Sequence, residues 1–126
     1  MKTAHDLVAA AKARVQEVSL QDAEQAIRDA DVLVDVREAD EFAVGHLGGA
    51  MHISRGILEF KFSANPALQA RDLKVLLYCK TSGRAALAAA ALHEMGYLNV
   101  QSLAGGFDAW VAAGKPVAKP ETTSFE

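Results

Sequence analysis

Cys79 is the only cysteine of the chain and opens the run Cys79-Lys80-Thr81-Ser82-Gly83-Arg84, with the apolar segment Val75-Leu76-Leu77-Tyr78 before it and an alanine-rich stretch after it. At a junction between a strand and a helix, the backbone N–H groups of the loop and of the first helical turn point at whatever sits in the loop's centre. Lys80 and Arg84 add positive charge, and both effects favour a thiolate and draw in anions. The chemistry this suits is nucleophilic attack by Cys79 on a small anion held by Lys80, Thr81, Ser82, Gly83 and Arg84. The plain alternative is a buried structural thiol, because free cysteine is among the most buried residue types. Five polar or glycine neighbours, two of them cationic, make poor company for an inert core sulfur. With one cysteine there is no internal disulfide and no C-x-x-C pair, so an external nucleophile has to resolve whatever is loaded on the sulfur.

The rest of the composition narrows the setting. A chain of 126 residues is the usual size of one domain and can bury a core without disulfides or metals. A formal net charge of −3 supplies no general basic field, so nucleic acid is not an expected partner and anion attraction must be local. Charges at Lys2, His5, Asp6, Lys12 and Arg14 interrupt the first fifteen residues, unlike the apolar core of a secretory signal. No apolar run approaches the roughly 20 residues needed to span a bilayer, which excludes membrane insertion. The expectation is a cytoplasmic protein in a reducing compartment.

Several elements must position the cysteine. Ala4 to Val15 has helical spacing of apolar and charged residues, which predicts a short amphipathic helix resting loosely at the domain edge. Ser19 is a good N-cap for a second helix running to about Ala30. Val32-Leu33-Val34-Asp35-Val36 reads as a strand buried on both faces, Glu38 to Val44 as a short helix stopped by Gly45, and Met51-His52-Ile53 as a brief peripheral strand. Helical intervals recur at Ile57 to Phe62, before the break at Asn65-Pro66 and a possible turn at Ala67 to Ala70. Lys74 to Tyr78 is the clearest strand, Gly83 to Met95 an alanine- and leucine-rich helix closed by Gly96, Asn99 to Leu103 another strand, and Phe107 to Ala113 the last helix. The tail from Val117 is polar and expected to fray. Strands alternating with helices predict an α/β domain with a parallel sheet, whose ligands sit outside the carboxyl ends of the strands. Cys79 is at that address.

The Cys79 loop, preceded by Val75-Leu76-Leu77-Tyr78, resembles the active-site loop of the rhodanese-like sulfurtransferases. Asp35-Val36-Arg37, Glu41-Phe42, Gly45-His46-Leu47, Gly49-Ala50 and Ile53 resemble that family's first signature block, and Gly105-Gly106-Phe107 with Trp110 its last. The similarity runs from about Ser19 to Pro116. It implies a three-layer rhodanese-like fold, a parallel sheet flanked by helices on both faces, with a helical extension at 1–17, the domain at 18–117 and a flexible tail at 118–126. It also implies a sulfur carried on Cys79 as a persulfide, taken from a small anionic donor such as thiosulfate or a persulfide. The acceptor would be cyanide, a small thiol or a thioredoxin-like protein, and no prosthetic group is implied. In this family Asp35 and Arg37 tie a strand end to neighbouring loops, a structural use.

Other readings stay open at this point. Cysteine phosphatases wrap phosphate with five residues between cysteine and arginine, whereas four separate Cys79 from Arg84, and the loop holds no acid to protonate a leaving group. A non-catalytic binding module of the same fold would usually lack the cysteine that is present here. His46 and His52 have no cysteine or carboxylate at ligand spacing, so a metal site is not expected, and backbone carbonyls are their natural partners. Arg55 and Glu59 follow the second strand and could approach the mouth of the site. Trp110 and Phe107 read as packing residues.

Overall fold

The apolar runs fold as strands and the alanine-rich stretches as helices. In the computed structural model, which describes residues 1–120, the order is α1 (Ala4–Lys12), β1 (Gln16–Val18), α2 (Ala23–Asp29), β2 (Val32–Asp35), α3 (Ala39–Val44), β3 (Met51–His52), α4 (Leu58–Ala64), β4 (Lys74–Tyr78), α5 (Gly83–Glu94), β5 (Asn99–Leu103) and α6 (Gly106–Ala112). The strands form one sheet in the order β1-β5-β4-β2-β3, and every neighbouring pair is parallel. Each such connection needs a crossover, so helices cover both faces.

β4 occupies the middle of the sheet, and the period of two along it sorts its side chains. Val75, Leu77 and Cys79 join Val34, Val36, Leu58, Phe62, Ala85, Ala88, Ala89 and Leu92 in one core, under α4 and α5. Leu76 and Tyr78 join Ala23, Leu33, Leu47, Leu103 and Trp110 in the other, under α2 and α6. Alternation along a single strand therefore assigns the Cys79 side chain to the α5 face. α5 has small residues on two sides. Ala85, Ala88 and Ala89 lie against the sheet, while Ala86 and Ala90 pack under Ala11 of α1.

Three expectations change in the folded chain. The helix expected to start at Ser19 begins instead with a 3-10 turn over Leu20–Asp22, and the Ser19 hydroxyl donates to the Asp22 carboxylate at 3.2 Å rather than capping. α1 is seated on α5 rather than loosely attached, with Ala11 only 1% exposed, and the chain then enters the sheet as edge strand β1, for which no expectation existed. Its N-terminus carries a capping box in which Thr3 Oγ1 accepts from the Asp6 N–H and the Asp6 carboxylate accepts from the Thr3 N–H. Of the tail expected to fray, Ala118 is held by reciprocal backbone hydrogen bonds with His46 of 2.8 and 2.9 Å, whereas residues 121–126 lie outside the described part.

Beyond β2 the chain turns on a buried ion pair. Asp35 is fully buried and Arg37 is 4% exposed. The Arg37 guanidinium donates to both Asp35 oxygens at 2.7 to 3.0 Å and to the Gly45 carbonyl at 2.7 Å, with its Cζ 4.2 Å from the Phe107 ring centroid. Burial disfavours the Arg37 charge, but hydrogen bonding to Asp35 and its charge outweigh this and raise the Arg37 pKa. This is the structural tie expected of the two residues, joining β2, the end of α3 and α6. Asp35→Ala leaves that guanidinium buried without its carboxylate, and should lower the unfolding free energy by about 3–5 kcal/mol in urea titrations followed by circular dichroism. A change below about 1 kcal/mol would show that the pair does not hold the strand end.

Candidate active site

Cys79 follows β4 directly and is 1% exposed. Its carbonyl accepts from the Phe107 N–H at 2.8 Å, and the Lys80 carbonyl accepts from the Asp108 N–H at 3.0 Å. The Cys79 and Thr81 carbonyl oxygens lie so close to Gly106 that a Cβ there would sit 2.4 Å from each. Three consecutive carbonyls thus face the start of α6. In a trans peptide the N–H points opposite to the carbonyl, so the N–H groups of Lys80, Thr81 and Ser82 face away from α6, toward the side on which the Cys79 sulfur lies. Among the described residues none of these three N–H groups donates to a protein acceptor. On the same side the Ala85 N–H, in the first turn of α5, donates to Cys79 Sγ at 3.4 Å. One N–H thus reaches the sulfur directly, and three more are turned to its side of the loop.

The cations around this loop are not free charges. The Arg84 guanidinium forms a two-pronged bond to the Glu41 carboxylate at 2.7 and 3.0 Å. Lys80 reaches Asp108 at 2.7 Å, at the exposed rim. Hydrogen bonding from Arg84 is the largest influence on Glu41 and holds its carboxyl down to about 2, against the opposing effect of burial. The Glu38 N–H also donates to Glu41, so one carboxylate caps α3 and braces the loop. Lys12 of α1 donates to Ser82 Oγ at 2.7 Å.

The six residues expected at the site, Cys79 to Arg84, run from the end of β4 into the first turn of α5, with Thr81 exposed and Ser82, Gly83 and Arg84 half-buried. Lys80 and Arg84, expected to add positive charge beside the sulfur, each have a carboxylate partner. Glu41, Asp108 and Lys12 join the site without a sequence signal for that role. Glu41 belonged to a recognised motif, but its pairing with Arg84 spans 43 positions and leaves no local mark in the sequence. Arg55 lies at this end of the sheet, its N–H donating to the Val36 carbonyl at 3.0 Å and its guanidinium to Glu59 at 2.8 Å. His46 Nδ1 and His52 Nε2 each lie 2.8 Å from a backbone carbonyl, of Leu47 and Arg37 respectively. Trp110 is buried, with its indole N–H donating to the Pro116 carbonyl.

A parallel α/β sheet carrying a cysteine loop of N–H donors at the end of its central strand defines a thiol-centred class of domain. The rhodanese-like domain model matches residues 19–113, and the chain belongs to that family. A sulfurtransferase from Allochromatium vinosum is 31% identical over 109 residues, covering 85% of this chain and 98% of the relative. The thiosulfate sulfurtransferase GlpE of Haemophilus influenzae is 32% identical over 103 residues, covering 81% and 93%. Among solved structures, a Rhodopseudomonas palustris protein of unknown function, described as a possible tyrosine phosphatase, matches with a TM-score of 0.86 at 30% identity, over 94% of this chain and 96% of that one. No helix of the described residues is long and apolar enough to cross a membrane.

Two outcomes test this geometry. Gly106 has φ +56°, and a Cβ there would press on two loop carbonyls. Gly106→Ala should therefore cost about 2–5 kcal/mol, seen in urea titrations, and a stability loss under about 1 kcal/mol would mean the loop is not backed by α6. The Glu41 carboxyl lies well below its ordinary value of 4.5 in the folded chain, so its contribution is fully present above pH 4.5 and is lost as the pH falls toward 2. Its pair with Arg84 is about one-third exposed, which limits the gain to about 1 kcal/mol. The stability difference between wild type and Glu41→Gln should be constant above about pH 5 and shrink steadily below it. A difference independent of pH down to about 2 would contradict the pairing.

Proposed function

We propose that this protein is a sulfurtransferase that takes a sulfane sulfur from thiosulfate or a persulfide donor onto Cys79 and passes it to a thiol or cyanide. The observation that carries this reading is the orientation of the Cys79–Ser82 peptide planes, which aims three N–H donors toward the side of the Cys79 sulfur. In the loading half, the thiolate attacks the outer sulfur of thiosulfate. The sulfur–sulfur bond of the donor breaks, and sulfite leaves with the bonding pair. Cys79 then carries an outer sulfur that is anionic at neutral pH, and the N–H groups of Lys80, Thr81 and Ser82 offset that charge. In the second half an incoming cyanide or thiolate attacks this outer sulfur. Thiocyanate or a new persulfide departs, and the Cys79 thiolate is regenerated. A protein acceptor of the thioredoxin kind fits the same step, and the lone thiol suits a reducing compartment.

Arg84 belongs to this cycle mainly as the strut that Glu41 holds in place. Its guanidinium is a bidentate donor already engaged, and binding a sulfonate through it requires giving up one or both bonds to Glu41. The description of the Rhodopseudomonas relative as a possible phosphatase raises the competing reading. That chemistry uses the arginine as a free fork for phosphate, on a ring one residue longer. Both requirements fail here.

Incubation with thiosulfate followed by intact-mass measurement provides the test. The wild type should gain one sulfur atom that cyanide removes, and Cys79→Ser should gain none while keeping the wild-type melting profile. Uptake of sulfur by Cys79→Ser, or no uptake by the wild type from thiosulfate and from a low-molecular-weight persulfide, would sink the proposal.

A further inference from the structure

The loop has an electrostatic shortfall. Thiosulfate is doubly charged, yet Arg37, Arg55, Lys80 and Arg84 each have a carboxylate oxygen within 2.8 Å. At such distances the paired charges largely cancel beyond a few ångströms. Lys12 differs. Its ammonium lies 2.7 Å from Ser82 Oγ, while its carboxylate partner, Glu17, is 3.9 Å away. Its side chain is 36% exposed, so its field reaches solvent at the rim of the loop.

The placement of this ammonium is built rather than incidental. Ala11, its chain neighbour, is buried between Ala86 and Ala90 of α5. One turn earlier in α1, Val8 closes on Gly83, where an added Cβ would lie 3.4 Å from its side chain. Small residues on both helices let α1 lie close against α5, which brings the last turn of α1 over the loop. Residue 12 lies outside the 19–113 span that the family model matches.

We infer that Lys12 is a positioning and specificity-determining residue: it holds the Ser82 segment of the loop and, being the most loosely paired cation beside it, supplies the positive charge that draws anionic sulfur donors to Cys79. The inference rests on the sulfurtransferase reading. An ammonium donating to Ser82 Oγ leaves the Ser82 hydroxyl proton free to turn toward the outer sulfur or a donor oxygen. Charge at the rim acts on encounter, so it should change donor affinity and salt dependence more than the chemical step.

Lys12→Gln removes the charge on a side chain one bond shorter, Lys12→Arg keeps both charge and donor, and salt dependence separates the charge from the tether. With thiosulfate as donor and cyanide as acceptor, Lys12→Gln should raise KM about three- to tenfold at low ionic strength with kcat within about twofold, and Lys12→Arg should restore KM. The second measurement does not involve sulfane transfer. Cys79 is capped with anionic 2-sulfonatoethyl methanethiosulfonate and with neutral methyl methanethiosulfonate, each followed by intact mass. The ratio of the two rates should fall by a similar factor in Lys12→Gln and converge with the wild-type ratio at high salt. An unchanged KM with an unchanged rate ratio overturns the inference. So does a loss that Lys12→Arg fails to restore, which would mark Lys12 as a purely structural contact. If the wild type takes up no sulfur while the capping ratio still falls in Lys12→Gln, the sulfurtransferase reading fails and the assigned charge role of Lys12 stands.

Discussion

Two backbone hydrogen bonds set the direction in which the cysteine loop presents its peptide groups. The Phe107 and Asp108 N–H groups at the start of α6 take the Cys79 and Lys80 carbonyls. Planarity of the peptide bond then directs the following N–H groups to the opposite side. Without this anchoring, a short loop of polar residues has no reason to choose one orientation over another. With it, the donors converge on the side of the sheet where strand alternation has already put the sulfur. The glycine at position 106 follows from the same demand, since only a residue without a Cβ lets the two backbones approach so closely.

Around this anchoring the remaining interactions act as braces. Asp35 and Arg37 fix the neighbouring strand end, and the stacked rings of Phe42 and His46, with centroids 4.0 Å apart, fill the space beside it. Glu41 braces the helical side of the loop through Arg84, and Lys12 of α1 braces Ser82. The site is therefore held from four elements, α1, α3, α5 and α6, although its residues are contiguous in sequence. Neutral pairs at Lys80 and Arg84 tie the loop down and reduce its net field.

What could be read from the chain beforehand follows from how local each cause is. β2, β4 and β5 are dense apolar or β-branched runs, and α5 is nearly all alanine and leucine, so their patterns survive without knowledge of neighbours. The position of Cys79 at a strand's carboxyl end follows from them. β1 had no such signal: Gln16-Glu17-Val18 is two-thirds polar and becomes a strand because β5 offers an open edge to pair with. The charge pairs were equally hidden. Lys12 meets Ser82 across 70 positions and Lys80 meets Asp108 across 28, so a sequence shows the cations but not what neutralises them.

The two residues that turn the loop's carbonyls, Phe107 and Asp108, come nearly thirty positions after the cysteine they serve. During vectorial synthesis the thiol and its loop emerge well before the residues that orient them. Until α6 and the β5 edge have formed, nothing orients those peptides, and Cys79 is an ordinary cysteine on an unfinished sheet. β1 adds a second delay, because the first strand made finds its partner in the last described one, pairing Gln16 with Gln101. The sulfur's special environment is thus a property of the completed chain alone, and a truncated or stalled product would carry the thiol without the surroundings that distinguish it.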